Sequence, residues 1–130
     1  MLQNYKNQKC PCTSGKLFSD CCEPFLMNNK NPTTALELMR SRFSAYVTLQ
    51  IDFLVASTHI STINNHRKSE LLDWAKSNIW QKLEIISFSD TTVEFKAYYL
   101  DQKSKPQIHH EFSVFKLESE KWYYVNGRYL

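Results

Sequence analysis

A chain of 130 residues, 42% of them hydrophobic and 14% aromatic, has the apolar content of one globular domain. Its formal net charge of +3 comes from dispersed residues, so charge by itself gives no argument for nucleic-acid binding. No apolar run comes near the roughly 18 residues that a transmembrane helix needs, and none is expected.

The amino terminus Met1-Leu2-Gln3-Asn4-Tyr5-Lys6 is polar, with no apolar stretch behind it of the kind that directs export. The expected location is the cytoplasm, where thiols stay reduced. All four cysteines and one of the two glycines then fall within Cys10-Pro11-Cys12-Thr13-Ser14-Gly15-Lys16-Leu17-Phe18-Ser19-Asp20-Cys21-Cys22. If the middle of this segment folds back as a tight loop, Cys10, Cys12, Cys21 and Cys22 converge on one point, as a single structural zinc ion in a closed tetrahedral site requires. Neighbours such as Cys21 and Cys22 are too constrained by the backbone to bridge in ordinary disulfide geometry, although cross-bridging between the two pairs is the competing arrangement. Gly15 can take a positive φ, turning the amides of Ser14-Gly15-Lys16 toward sulfur. Lys9 and Lys16 flank the cluster and can offset its negative charge. Residues 1–30 are read as a zinc module too small to build its own core, so that metal binding supplies most of its folding energy.

The polar, turn-rich Asn28-Asn29-Lys30-Asn31-Pro32 marks the boundary to a second unit, residues 31–130. Thr33 or Thr34 can cap a helix there, with Glu37 completing a capping box. Leu36, Met39, Phe43, Tyr46 and Val47 recur at helical spacing through about Leu49. A short second helix is expected over Asp52–Ala56 and a third over Lys68–Ile79. After Trp80 the pattern changes to alternation: Leu83–Phe88, then Val93, Phe95, Ala97 and Tyr99, then Ile108, His110, Phe112 and Val114, and finally Lys121–Val125, with Asn126-Gly127 as a turn signal. Helices followed by an antiparallel meander predict an α+β fold, the helices laid across one face of a curved sheet.

The cysteine segment resembles the SEC-C zinc motif, known from the tail of the bacterial preprotein-translocation ATPase. Pro32-Thr33-Thr34-Ala35, Met39-Arg40-Ser41-Arg42-Phe43-Ser44-Ala45-Tyr46-Val47, Thr58-His59, Val93-Glu94-Phe95, His110-Glu111 and Trp122-Tyr123-Tyr124-Val125-Asn126-Gly127 resemble the YchJ family. The resemblance implies a ketosteroid-isomerase-like (nuclear-transport-factor-like) cone from about Asn31 onward. Thr13 stands where the SEC-C motif usually has glycine, and Ile60 where the family commonly has proline.

A cone of this type can enclose a small-molecule pocket. His59 and His110 are the catalytic candidates because imidazole exchanges protons near neutral pH, and Arg42, Tyr46 and Tyr98 are the ligand-binding candidates. On a helix Arg40 and Arg42 point in different directions, so one of them at most faces the core, where it must be paired. Two functions follow from different classes. One is a zinc-binding interaction and ligand-binding protein, whose knuckle, with Lys6, Lys9, Lys16 and Lys30 around it, meets an acidic protein partner. The other is a lyase, isomerase or hydrolase using a pocket histidine. A homodimer through the exposed sheet face is a further candidate, and nucleic acid is the weakest partner.

Overall fold

The computed structural model describes residues 2–130, and their order is helices first, sheet second. A single helical turn at Leu2–Tyr5 precedes the cysteine segment and another at Phe18–Asp20 lies within it, and α1 (Glu23–Leu26) carries Pro24 in its first turn. Proline suits that place, since a first-turn amide has no intrahelical acceptor. Three further helices follow: α2 (Ala35–Val47), α3 (Ile51–Ala56) and α4 (Lys68–Ser77). Thr34 Oγ1 accepts the Glu37 amide at 3.0 Å, while Glu37 Oε1 accepts the Thr33 amide at 2.7 Å, so the capping box closes one residue further out than its usual form.

Helix α2 is the centre of the molecule. The sequence expects one apolar face, yet α2 buries Leu38, Met39, Ser41, Arg42, Phe43, Ser44 and Ala45 on nearly all sides. Small side chains at Ser41, Ser44 and Ala45, each 0% exposed, let neighbours approach where larger ones would hold them off. The third helix stops two residues early: Asn78 turns to extended backbone, and its side-chain amide donates to the Trp74 carbonyl at 2.8 Å.

The sheet is antiparallel in the order β1 (Ile79–Phe88), β2 (Thr92–Leu100), β3 (Pro106–Glu118) and β4 (Lys121–Tyr129). Helix α2 lies across β1, β2 and β4. Val93, Phe95 and Ala97 point inward and are buried, as their alternation predicts. On β3 the faces are opposite to expectation. Ile108, His110, Phe112 and Val114 point away from the helices, whereas Glu111, Ser113 and Phe115 are buried. A bulge between Val114 and Phe115 then resets the pairing with β4. Asn126-Gly127 is no turn either: β4 runs through it, with Gly127 opposite Ser113.

The cysteine segment is built into the same core. Cys10, Cys12, Phe18 and Cys22 pack in one apolar cluster with Leu38, Phe43, Leu83, Val93 and Phe115. Thr13 fastens this segment to the sheet. It holds a left-handed backbone (φ 62°), which is costly for a β-branched residue. In that position its hydroxyl accepts from the Leu83 amide at 3.1 Å and lies 2.8 Å from the Leu83 carbonyl, satisfying the outer edge of β1. Glycine at this position would take the backbone turn more easily and could not make the contact.

Among the described residues, no helix is long and apolar enough to cross a membrane.

Candidate functional site

Two sites lie on opposite sides of α2. At the first, the fold-back is made by a bridge between Lys9 and Leu17, with the Cys10 amide donating to the Lys16 carbonyl at 2.8 Å. The four sulfurs lie within 4.8 Å of one another, Cys12 to Cys21 at 3.6 Å and Cys21 to Cys22 at 3.9 Å. A disulfide needs about 2.05 Å, and all four cysteines are free thiols. The cluster therefore has the corners of a tetrahedral thiolate site, and the motif and the close sulfurs together point to metal binding.

The Ser14 amide addresses Cys12, as the turn predicts, and hydroxyls address Cys21 and Cys10. The Lys16 amide donates to Ser14 Oγ; Ser14 Oγ lies 3.2 Å from Cys21 Sγ, and Ser44 Oγ 3.5 Å from Cys10 Sγ. Lys9 and Lys16 stay exposed, and the cation that reaches the cluster is Arg40, whose Nη1 donates to the Cys12 carbonyl at 3.2 Å and approaches Cys12 Sγ at 3.8 Å. Of the two arginines of α2, one thus serves each site. Hydrogen bonds from Cys10 and then Cys22 hold the Cys12 thiol far below its ordinary range, whereas the bond to Cys12 pushes Cys10 up to about 12.

The second site is a cavity of about 460 Å³ between α2, α4 and the sheet. Aromatic rings form its mouth: Trp74 packs edge-on against Trp80 at 5.6 Å, and His109 against Tyr129 at 5.0 Å. Polar groups converge deeper in. Glu111, 8% exposed, accepts at Oε1 from His109 Nε2 (2.8 Å) and at Oε2 from the Ser113 and Tyr124 hydroxyls. Burial pushes the Glu111 carboxyl up, but the hydrogen bonds from His109, Ser113 and Tyr124 together outweigh it, so the group stays below its usual range. Arg42 lies with its guanidinium 4.4 Å above the Tyr124 ring, so Tyr124 touches the buried cation with its face and the buried carboxylate with its hydroxyl. Burial, followed by the nearby Arg42 charge, lowers the pKa of His66 and keeps that imidazole neutral. Chemically, the cavity offers a cation to attract an anion, and an imidazole held by a carboxylate, the arrangement of an acid–base pair.

Of the residues selected from the sequence, Arg42 and Tyr46 line this cavity. His59, His110 and Tyr98 do not. His59 is a latch between the loop after α3 and the end of β3: its Nδ1 accepts from the Ser61 amide at 3.1 Å and its Nε2 lies 2.7 Å from Glu118. His110 pairs with Glu94 at 2.8 Å on the outer face, and Tyr98 donates to Glu84 at 2.6 Å on the same exposed face. The histidines of the cavity are His66 and His109, neither of which the sequence reading selects. One signal was available for the second: His109, Glu111 and Ser113 form a polar stripe at period two on a strand.

Residues 34–127 match the family model described as YchJ, middle NTF2-like domain, and residues 7–24 match the SEC-C motif. A UPF0225 protein of Photorhabdus laumondii is 41% identical, over 91% of this chain and 79% of its own length. Another, from Sodalis glossinidius, is 36% identical, over 93% and 83% respectively. The solution structure of a SEC-C motif containing protein from Rhodopseudomonas palustris superposes with a TM-score of 0.85 at 30% identity, over 93% of this chain and 98% of that one. A crystal structure of a SEC-C motif containing protein from Psychrobacter arcticus gives 0.78 at 28% identity, over 97% and 84%. A cysteine loop of SEC-C type locked to the edge of an NTF2-like sheet, matched over 79% and 83% of the length of these UPF0225 relatives, makes this chain a member of the YchJ (UPF0225) family.

Proposed function

We propose that this protein is a small-ligand-binding cone whose amino-terminal segment is held by one structural zinc ion. Zinc with four sulfurs at about 2.3 Å spaces those sulfurs about 3.8 Å apart, which agrees with the 3.6 and 3.9 Å separations in the cluster. Four thiolates saturate the ion and leave no position for substrate or water, so its role is to staple. Free thiols in this arrangement suit a reducing compartment such as the cytoplasm.

The observation that carries the ligand-binding reading is the cavity itself: aromatic walls around a few convergent polar groups, the usual composition of a small-molecule site. Trp74 and Trp80 line it, so intrinsic fluorescence reports on it directly. A panel of small aromatic acids, bases and neutral compounds should contain members that change that fluorescence saturably and shift the amide resonances of α2 and β3. A panel with no such member overturns the reading. The second reading, a lyase, isomerase or hydrolase, is favoured by the orientation that Glu111 gives His109. Conversion of a bound compound that disappears in His109→Gln would establish it.

The outward side of the cysteine segment is proposed as a contact for an acidic protein surface, because Lys9 and Lys16 flank Leu17, which is 46% exposed. A partner retained from bacterial cytosol should be lost with Lys9→Glu/Lys16→Glu, whereas retention unaffected by this reversal or by salt removes the proposal.

A further inference from the structure

Arg42 is 4% exposed and lines the cavity. Its Nη1 donates to the Leu54 carbonyl at 3.0 Å, Ser57 Oγ at 2.7 Å and Thr58 Oγ1 at 3.3 Å, all at the carboxyl end of α3. That end is a favourable place for a cation, since the last carbonyls of a helix carry partial negative charge. These contacts occupy Nη1 fully and fix the plane of the guanidinium against Tyr124. Nε and Nη2 have no acceptor among the described residues, yet no buried side-chain nitrogen or oxygen there lacks a hydrogen-bond partner. Both nitrogens therefore border open space, and the space that Arg42 borders is the cavity. The edge formed by Nε–H and Nη2–H is the one that grips a carboxylate with two parallel hydrogen bonds.

We propose that the cavity binds a small planar monocarboxylate, its carboxylate forked on Nε and Nη2 of Arg42 and its body against the rings of Trp74, Trp80 and Tyr46. This assignment rests on the ligand-binding reading above and names the class of ligand. The single negative charge follows from the charges that line the site. Arg42 is the one arginine that lines the cavity, Glu111 brings a buried negative charge and Glu70 a second carboxylate to the same lining, and His66 beside them is neutral. A dianion would meet repulsion that one cation cannot offset. The flat body follows from the walls, because aromatic rings accept planar groups by stacking or edge contact.

The test is a titration of tryptophan fluorescence at pH 7.5 and physiological salt with three probes: trans-cinnamate, its methyl ester and phenyl phosphate. Cinnamate should bind about thirtyfold more tightly than the ester, the worth of charged hydrogen bonds to a buried partner, and more tightly than phenyl phosphate. Arg42→Lys, which keeps the charge and loses the fork, should reduce the preference for acid over ester to within about threefold. If that variant does not fold, the three-probe comparison on the unaltered protein decides. Equal affinity for acid and ester, or tighter binding of phenyl phosphate, overturns the monocarboxylate assignment and leaves the cavity a ligand site. Silence from all three probes while the wider panel binds has the same meaning, and silence from the panel as well overturns both readings.

Discussion

Cys22→Ser should abolish stoichiometric metal and lower stability by about 3 kcal/mol or more, read as a fall of roughly 10 °C in Tm. The purified protein should carry one zinc per chain and the variant much less. Serine nearly matches cysteine in size, so the loss reports ligation and little else. Cys22 is 1% exposed and sits in the cluster that also holds Leu38, Phe43 and Leu83. The damage should therefore spread beyond the cysteine segment. Hydrogen exchange should quicken in α2 and along the β1 edge where Thr13 meets Leu83, as well as in Leu2–Leu26. Metal content equal to that of the unaltered protein would refute the four-thiolate site. Exchange confined to the first thirty residues would show that the shared core transmits nothing.

Gly127→Ala should destabilise the fold by about 3 kcal/mol, although this glycine has no positive φ to excuse it. A Cβ at this position would run into the Glu111 carboxylate, with Glu111 Cγ at only 2.8 Å. The carboxylate cannot retreat without leaving His109, Ser113 and Tyr124 unpaired in a buried site, at about 1–3 kcal/mol for each group stranded. Combining Gly127→Ala with Glu111→Ala removes the collision, so the pair should cost much less than the two single changes added together. Additive costs would mean that the glycine serves something else. The same carboxylate sets an acid limit. Its folded-state pKa lies below the ordinary 4.5, so the folded protein binds fewer protons there than the unfolded chain does. Its stabilising contribution is therefore complete above about 4.5 and is lost as pH falls through the depressed value. The stability gap between the unaltered protein and Glu111→Gln should accordingly narrow in acid, and a gap that widens instead would contradict the ionised assignment.

Element order, helix caps and the converging cysteines were legible in the sequence because each rests on local pattern: a capping box at Thr34, alternation along β2, thiols brought together by a short loop. The interior of the cone was not, and β3 shows why. Alternation says which residues share a face and leaves open which face is covered; the usual guide is that the apolar set is. Here Ile108 and Val114 are exposed, and His109, Glu111 and Ser113 line the cavity. That inversion favours His110, which makes a surface pair with Glu94, over His109. His66 gave no signal at all, since Asn64-Asn65-His66-Arg67 reads as an ordinary polar connection and only the fold brings it beside Arg42. Gly127 was misread for a related reason: Asn-Gly is the commonest hairpin dipeptide, and nothing nearby in the chain announces the carboxylate across the sheet that the missing side chain accommodates.

Arg40 and Arg42 stand two residues apart on one rigid rod, the first against Cys12 and the second against whatever fills the cone. An ion held by the cysteines and a ligand held in the cone would grip the same lever from opposite sides, and reciprocity would then apply. If removing the ion slackens the rod and weakens ligand capture by some factor, a bound ligand must retain the ion more tightly by that same factor. A cell short of zinc would lose such a protein's empty copies first.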